Sequence, residues 1–196
     1  MTGWWVLVVN YLIGSLPFGV IIGWVLKGVD IRKFGSGNIG ATNVSRVVGF
    51  PPALIAGVAD ALKGFFGAYL ATHFVPHPIL WFLAVFMIVI GHNWSVFLHF
   101  KGGKGVATTV GILFYLSYQA AIISFFSWVG MVLLSRYSSL GSLTGALLMP
   151  IGLYIFRRPP EYIWWGIFAC ALVFFKHSEN IKRLMSGKEH KIGKGA

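Results

Sequence analysis

Repeated apolar blocks govern what this chain can become. Leu, Ile, Val, Phe and Trp run in stretches near 20 residues, about the length an α-helix needs to cross roughly 30 Å of hydrocarbon. The chain of 196 residues is 57% hydrophobic and 11% charged, with a mean hydropathy of +0.76. A soluble globule of that size could not hide so much apolar surface. The sequence therefore predicts an all-α integral membrane protein: one polytopic domain over 1–196, with a basic tail at 183–196. The opening MTGWWVLVVNYLIG lacks a basic region and a convincing cleavage site, so it reads as an uncleaved first span.

Spans are expected at 4–26, 51–72, 78–98, 142–157 and 160–175. The stretch 105–135 is either one long tilted helix or two short ones joined near Ser117-Tyr118-Gln119, and the cations favour two. With Lys27, Arg32, Lys33 and Arg46 on the cytoplasmic side, a split keeps thirteen of the sixteen Lys and Arg inside, as the positive-inside rule demands. Arg157 and Arg158 then lie outside, and Lys63 within a helix. The result is about seven transmembrane helices, with the N-terminus outside and the C-terminus cytoplasmic. The short piece 105–117 would be only about 20 Å long, so it requires local thinning or a partly re-entrant path.

The formal charge of +11 does not point to nucleic acid, because the cations sit between apolar blocks and not along one soluble face. The lone Cys170 excludes a disulfide within the chain and argues against a cysteine metal site. Polar segments 32–46, 92–105, 136–142 and 176–183 all fall on the cytoplasmic face of this topology. Polar, glycine-rich backbone at membrane depth is tolerated where it lines a wet or protein-lined cavity, so the four read as walls of one cytoplasmic-side active site.

The first of them, KFGSGNIGATN, holds a literal G-x-G-x-x-G at 35–40. A dinucleotide fold would need a preceding strand and a βαβ unit, and here a membrane helix precedes it. What remains is anion chemistry. Gly37 and Gly40 let backbone N–H groups converge, Ser36, Asn38, Thr42 and Asn43 add donors, and Arg46 offers a fork suited to phosphate. The second, GHNWSVFLHFKGGKGVATT, places Gly102, Gly103 and Lys104 at a helix N-terminus, which also favours an anion. The third, RYSSLGSLTG, offers Ser142 among serines. In the fourth, KHSENIKRL, His177 and Asn180 share a helix face at i and i+3. Asp60 and Lys63 lie inside the second span, where a lone charge costs on the order of 3 kcal/mol. Either they pair, or Lys63 reaches the site as a further phosphate ligand.

Taken in order, GSGNIGATN, D-x-x-K-G, GHNWSVFLHFKGGKG and the HSENIKRL tail resemble the bacterial acyl-phosphate:glycerol-3-phosphate acyltransferases, the PlsY family, over essentially the whole chain. The resemblance implies transfer of a fatty acyl group from acyl phosphate to the 1-hydroxyl of sn-glycerol 3-phosphate, giving lysophosphatidate and inorganic phosphate in phospholipid synthesis. It implies no cofactor, a bacterial plasma membrane location, and membrane lipid, acyl phosphate and glycerol 3-phosphate as partners. A soluble acyl-phosphate synthase is the candidate protein partner for the basic tail. Ser36, His177 and Asn180 are expected at the reacting groups. Arg46 and Lys104 would clamp phosphate, with Gly37, Asn38, Gly40, Thr42, Asn43, Lys63, Gly102, Gly103 and Ser142 around them.

The H-x-x-x-x-D motif of another acyltransferase superfamily is absent. Acyl phosphate is already activated, so positioning and charge stabilisation can suffice. The proton acceptor stays open between His177, Glu179 and a substrate phosphate oxygen. The rival class is a transporter of phosphate or organophosphate anions, which would need a site reachable from both faces.

Overall fold

The computed structural model describes residues 3–193, and among these it forms helices and turns with no strand. Ten α-helices follow one another: α1 (Trp5–Ser15), α2 (Phe18–Lys27), α3 (Ala41–Val47), α4 (Phe50–Phe74), α5 (Pro78–Asn93), α6 (Val106–Leu116), α7 (Tyr118–Ser135), α8 (Ser138–Ile155), α9 (Pro160–Lys176) and α10 (Ser178–Met185). Five stretches are long and apolar enough to cross a bilayer: Trp5–Lys27, Phe50–Phe74, Pro78–Leu98, Tyr118–Ser135 and Ser138–Ile155. Helix α6 is apolar but has only 11 residues, about 16 Å; α9 has 17, about 25 Å. The 105–135 stretch divides at Ser117, whose hydroxyl caps α7 by accepting from Ala120 N. Large apolar side chains face outward along the helices, with Leu134 86% and Val25 74% exposed. Water would not tolerate such a surface, and hydrocarbon does.

Among the described residues the chain forms two compact units, 3–112 and 113–193, with the boundary inside α6. In unit one, α1 packs on α5, and α4 packs on α1, α2, α3 and α5. Glycine makes the closest seams. A Cβ on Gly14 would land on the Ile88 carbonyl, and one on Gly91 on the Tyr11 carbonyl; Gly64 and Gly111 bring α4 and α6 together in the same way. Without a hydrophobic drive between helices in lipid, such close backbone approach supplies the attraction. Asn10, fully buried, adds polar glue by donating to Gly67 O at 3.0 Å and Ala84 O at 2.7 Å.

The first span is not continuous. Pro17 has no N–H to donate and the chain breaks at Leu16–Pro17. The carbonyls exposed by the break are taken by side chains: Ser95 Oγ donates to Ser15 O at 2.6 Å and Lys63 Nζ to Leu16 O at 2.9 Å. Unit two is a simpler packing of α7 on α8 and α8 on α9. Ser124 donates to Gly145 O at 2.7 Å, Gly152 lies against Ala120, and Trp165 and Leu153 are fully buried.

Candidate functional site

Unit one carries the two glycine loops, each shaped by a buried polar side chain beneath it. After a single 3-10 turn at Ile31–Lys33, the chain wraps around Asn43, which is 1% exposed. Asn43 Nδ2 donates to Ile31 O at 2.9 Å and Phe34 O at 3.2 Å, while its Oδ1 accepts from Ser36 N at 2.8 Å. Gly35 and Gly37 sit at φ of 60° and 69°, the left-handed region that this tight wrap requires. Asn38 Oδ1 accepts from Gly40 N at 2.9 Å. The amides of Asn38 and Asn43 thus build the loop, and they leave Ser36 and Gly37 exposed at its crest. Thr42 and Arg46 are half-buried on α3; the stem of Arg46 passes close to Gly35. Ile31, Ile39, Val44 and Leu98 form an apolar cluster with Val20, Ala53 and Ala56.

The second loop folds back on the end of α5. Two consecutive non-glycine residues, His99 and Phe100, take φ of 52° and 60°, and Phe100 N donates to Ser95 O at 2.8 Å. Gly103 N then donates to His92 O at 2.9 Å. Gly102 presses on the His92 and Asn93 carbonyls and Gly103 on the His92 ring. No side chain fits at either position. Lys104, half-buried, stands two residues before α6.

His92 rests on a buried ion pair. Lys63 Nζ lies 2.7 Å from Asp60 Oδ1, 2.9 Å from His92 Nδ1 and 2.9 Å from Leu16 O, and both side chains of the pair are about 97% buried. Of the two readings open for Lys63, the structure realises the pair: three acceptors engage its three N–H donors. Its ammonium is engaged by Asp60, His92 and Leu16 O in this structure. Lys63 acts beneath the second loop, joined to it through His92.

Unit two brings Ser142, His177 and Asn180 to the end of α8 and α9 from which α10 departs. The polar 136–145 segment is helical from Ser138, where α8 begins. Ser142 Oγ donates to Ser138 O at 2.9 Å. His177, 3% exposed, caps α9 with Nδ1 2.8 Å from Val173 O. A carbonyl can only accept, so Nδ1 carries the proton and Nε2 is the basic nitrogen of the neutral ring. Asn180 is 7% exposed and donates through Nδ2 to Glu189 Oε1 at 2.6 Å. Glu179 is 85% exposed, with Arg183 at 3.9 Å, so it stands apart from these groups.

Sequence reasoning passed over Glu189, whose carboxylate also accepts from Ser139 Oγ at 2.9 Å and Arg183 Nε at 2.8 Å. Burial alone would raise its pKa; the hydrogen bonds from Arg183, Asn180 and Ser139 outweigh burial and hold it below the ordinary glutamate value. The available signal was scarcity, since the chain has five acidic residues and this one sits among lysines. His92 was missed as well: it lies inside a quoted motif, but nothing in sequence couples it to Lys63. Among the described residues no group of three His, Cys, Asp or Glu gathers as a metal site.

Two cationic glycine loops on an apolar helical scaffold define the class: an integral membrane protein. The sequence matches the glycerol-3-phosphate acyltransferase family over residues 4–187. The chain belongs to that family. It is 47% identical to glycerol-3-phosphate acyltransferase 2 of Moorella thermoacetica over 95% of this chain and 96% of the relative. It is 45% identical to the glycerol-3-phosphate acyltransferase of Carboxydothermus hydrogenoformans, covering 93% of each. Its fold is similar to the crystal structure of PlsY (YgiH), an integral membrane glycerol 3-phosphate acyltransferase. The glycerol 3-phosphate form superposes with a TM-score of 0.91 at 39% identity, covering 97% of this chain and 96% of that one. The lysophosphatidic acid form gives 0.90 at 38%, covering 97% and 95%.

Proposed function

We propose that this protein transfers a fatty acyl group from acyl phosphate to the 1-hydroxyl of sn-glycerol 3-phosphate, releasing 1-acylglycerol 3-phosphate and inorganic phosphate. The observation that carries the reading is end-to-end likeness to an acyltransferase crystallised in a glycerol 3-phosphate form and a lysophosphatidic acid form, acceptor and product of one acylation. The glycerol hydroxyl oxygen attacks the acyl carbonyl carbon and forms the ester bond. The anhydride C–O bond then breaks, and phosphate leaves with that electron pair. The hydroxyl proton passes to a phosphate oxygen or to His177 Nε2.

Acyl phosphate needs no further activation, so the protein's part is orientation and charge stabilisation. In unit one, Arg46 and Lys104 supply cations and the glycine loops supply backbone N–H donors, with Ser36 exposed beside them. In unit two, Ser142 and Asn180 orient substrate oxygens and His177 holds the basic nitrogen. The polar loops face the cytoplasm in a bacterial inner membrane, about seven spans carrying the N-terminus outside and the C-terminus inside. A soluble acyl-phosphate synthase delivers the donor.

The purified protein in detergent or lipid cubic phase, given palmitoyl phosphate and glycerol 3-phosphate, should release phosphate only when both are present. Release with neither dependence, or phosphate uptake by proteoliposomes without acyl transfer, overturns the reading. Cysteine labelling that places positions 104 and 180 on opposite faces of the bilayer overturns the topology.

A further inference from the structure

The turn joining α8 to α9 lies at the far end of both helices from Ser142 and His177, since α8 begins at Ser138 and α9 ends at Lys176. The 18 residues of α8 make that separation about 27 Å, close to the thickness of the hydrocarbon. The turn carries Arg157-Arg158-Pro159-Pro160, and its backbone closes α8 with two bonds: Arg157 N donates to Tyr154 O at 3.0 Å and Arg158 N to Leu153 O at 3.0 Å. Arg157 takes the left-handed position, with φ of 50°, which glycine would occupy at less cost. The turn thus uses the main chain of both arginines and neither guanidinium. Among the described residues no carboxylate, Glu161 included, comes within ion-pair distance of either. The Nε of Arg158 is buried, with no hydrogen-bond partner among the described residues.

A cation near a helix C-terminus complements the dipole. That accounts for the charge, but not for a buried donor left unmatched, which costs stability unless something accepts from it. A cavity of about 480 Å³ lies here, lined by both arginines with Tyr154, Ile155 and Ile163. We infer that this recess binds the phosphodiester of an anionic phospholipid, in the leaflet opposite the Ser142 and His177 end. Guanidinium forks suit phosphate oxygens. With no acid paired to them, the two arginines favour a headgroup of net negative charge over one whose own cation offsets its phosphate. Tyr154 and Ile155 are exposed beside them, so the recess suits a ligand that brings hydrocarbon with its phosphate. In the topology proposed above these are the two arginines left outside, where the positive-inside rule gives them no reason to be. The site belongs to unit two alone and does not rest on the acyltransferase reading.

The test titrates the full chain in detergent with phosphatidylglycerol or phosphatidylcholine of the same acyl chains, and counts retained lipid by native mass spectrometry. The parent is compared with R158Q and with the double variant R157G/R158Q. Glycine fits the left-handed position, so the turn is kept, and the unfolding temperature without lipid checks the fold. The parent should hold phosphatidylglycerol at about 10-fold lower concentration than phosphatidylcholine, the scale of one charge-assisted hydrogen bond. The double variant should lose one tightly held phosphatidylglycerol, and R158Q should hold it more weakly. Equal retention of the two lipids by the parent overturns the inference. So does an unchanged phosphatidylglycerol titration in the folded double variant, or in R158Q where the double variant does not fold. Inorganic phosphate is the third arm: if it raises the unfolding temperature of the parent and not of R158Q, while phosphatidylglycerol is not retained, the ligand is a free anion and the lipid assignment falls.

Discussion

In unit one the polar groups near the loops are held from within the spans. Lys63 pairs with Asp60 inside α4, Asn43 sits under its loop with both ends of its amide bonded, and His92 supports the second loop with its ring and its carbonyl. In unit two a polar end is closed from outside, by the chain past α10, a strap whose one buried acid, Glu189, reaches back to Ser139, Asn180 and Arg183. The contrast separates two ways of fixing a polar end. Support from the core couples loop geometry to helix packing, so the loop cannot be altered without disturbing the fold. Support from a tail leaves the helices self-sufficient, and the geometry can be changed on its own.

The sharpest way to break that contrast is to unpair the core. Asp60→Ala leaves a buried ammonium without its counter-charge, which typically costs 3–5 kcal/mol; thermal unfolding in detergent should show the loss, and Asp60→Ala with Lys63→Met should recover much of it. A single variant as stable as the parent would show that the pair does not anchor unit one. Next in size are Arg46→Ala and Lys104→Ala, each expected to lower turnover by about 100-fold or more, the scale of a lost transition-state charge contact, in folded protein. Near-normal turnover in both would leave the loops as scaffolding. His177→Ala is expected to keep more than about a tenth of the rate, because a substrate phosphate oxygen can take the proton; a positioned general base would contribute 100-fold or more.

The smallest effect belongs to the strap. Glu189 has its pKa lowered on docking, so it favours the docked strap above the ordinary glutamate value. That contribution declines as pH drops below that value, and it is gone below the lowered one. Protease cleavage near Lys188 should accelerate over that acidic window and lose its pH dependence there in E189Q.

The all-helical membrane class was legible because apolar length is a local property, and five of the expected stretches reach spanning length; the 105–135 stretch divides into two helices at Ser117, which caps the second. The break at Leu16–Pro17 was also present in the sequence as a proline, but an apolar run hides it, since hydropathy does not register a missing N–H. The loop residues were recognised as a group by their type. Their division of labour was not, because an asparagine that binds a ligand and one that folds a loop look alike until their partners are known. Asn43 and Asn38 proved to hold backbone. The partnership of Lys63 with His92 spans 29 positions and two helices, a separation that no periodicity reports.

The glycine seams of unit one shut lipid out of the helix crossings. Where Gly14 meets Ile88 and Gly111 meets Ala61, main chain lies directly on main chain, and no methylene-wide slot separates the helices. A lipid tail cannot thread those two crossings. Phe66, Leu62 and Val58 stand instead on the outer wall of α4, exposed where hydrocarbon meets the protein.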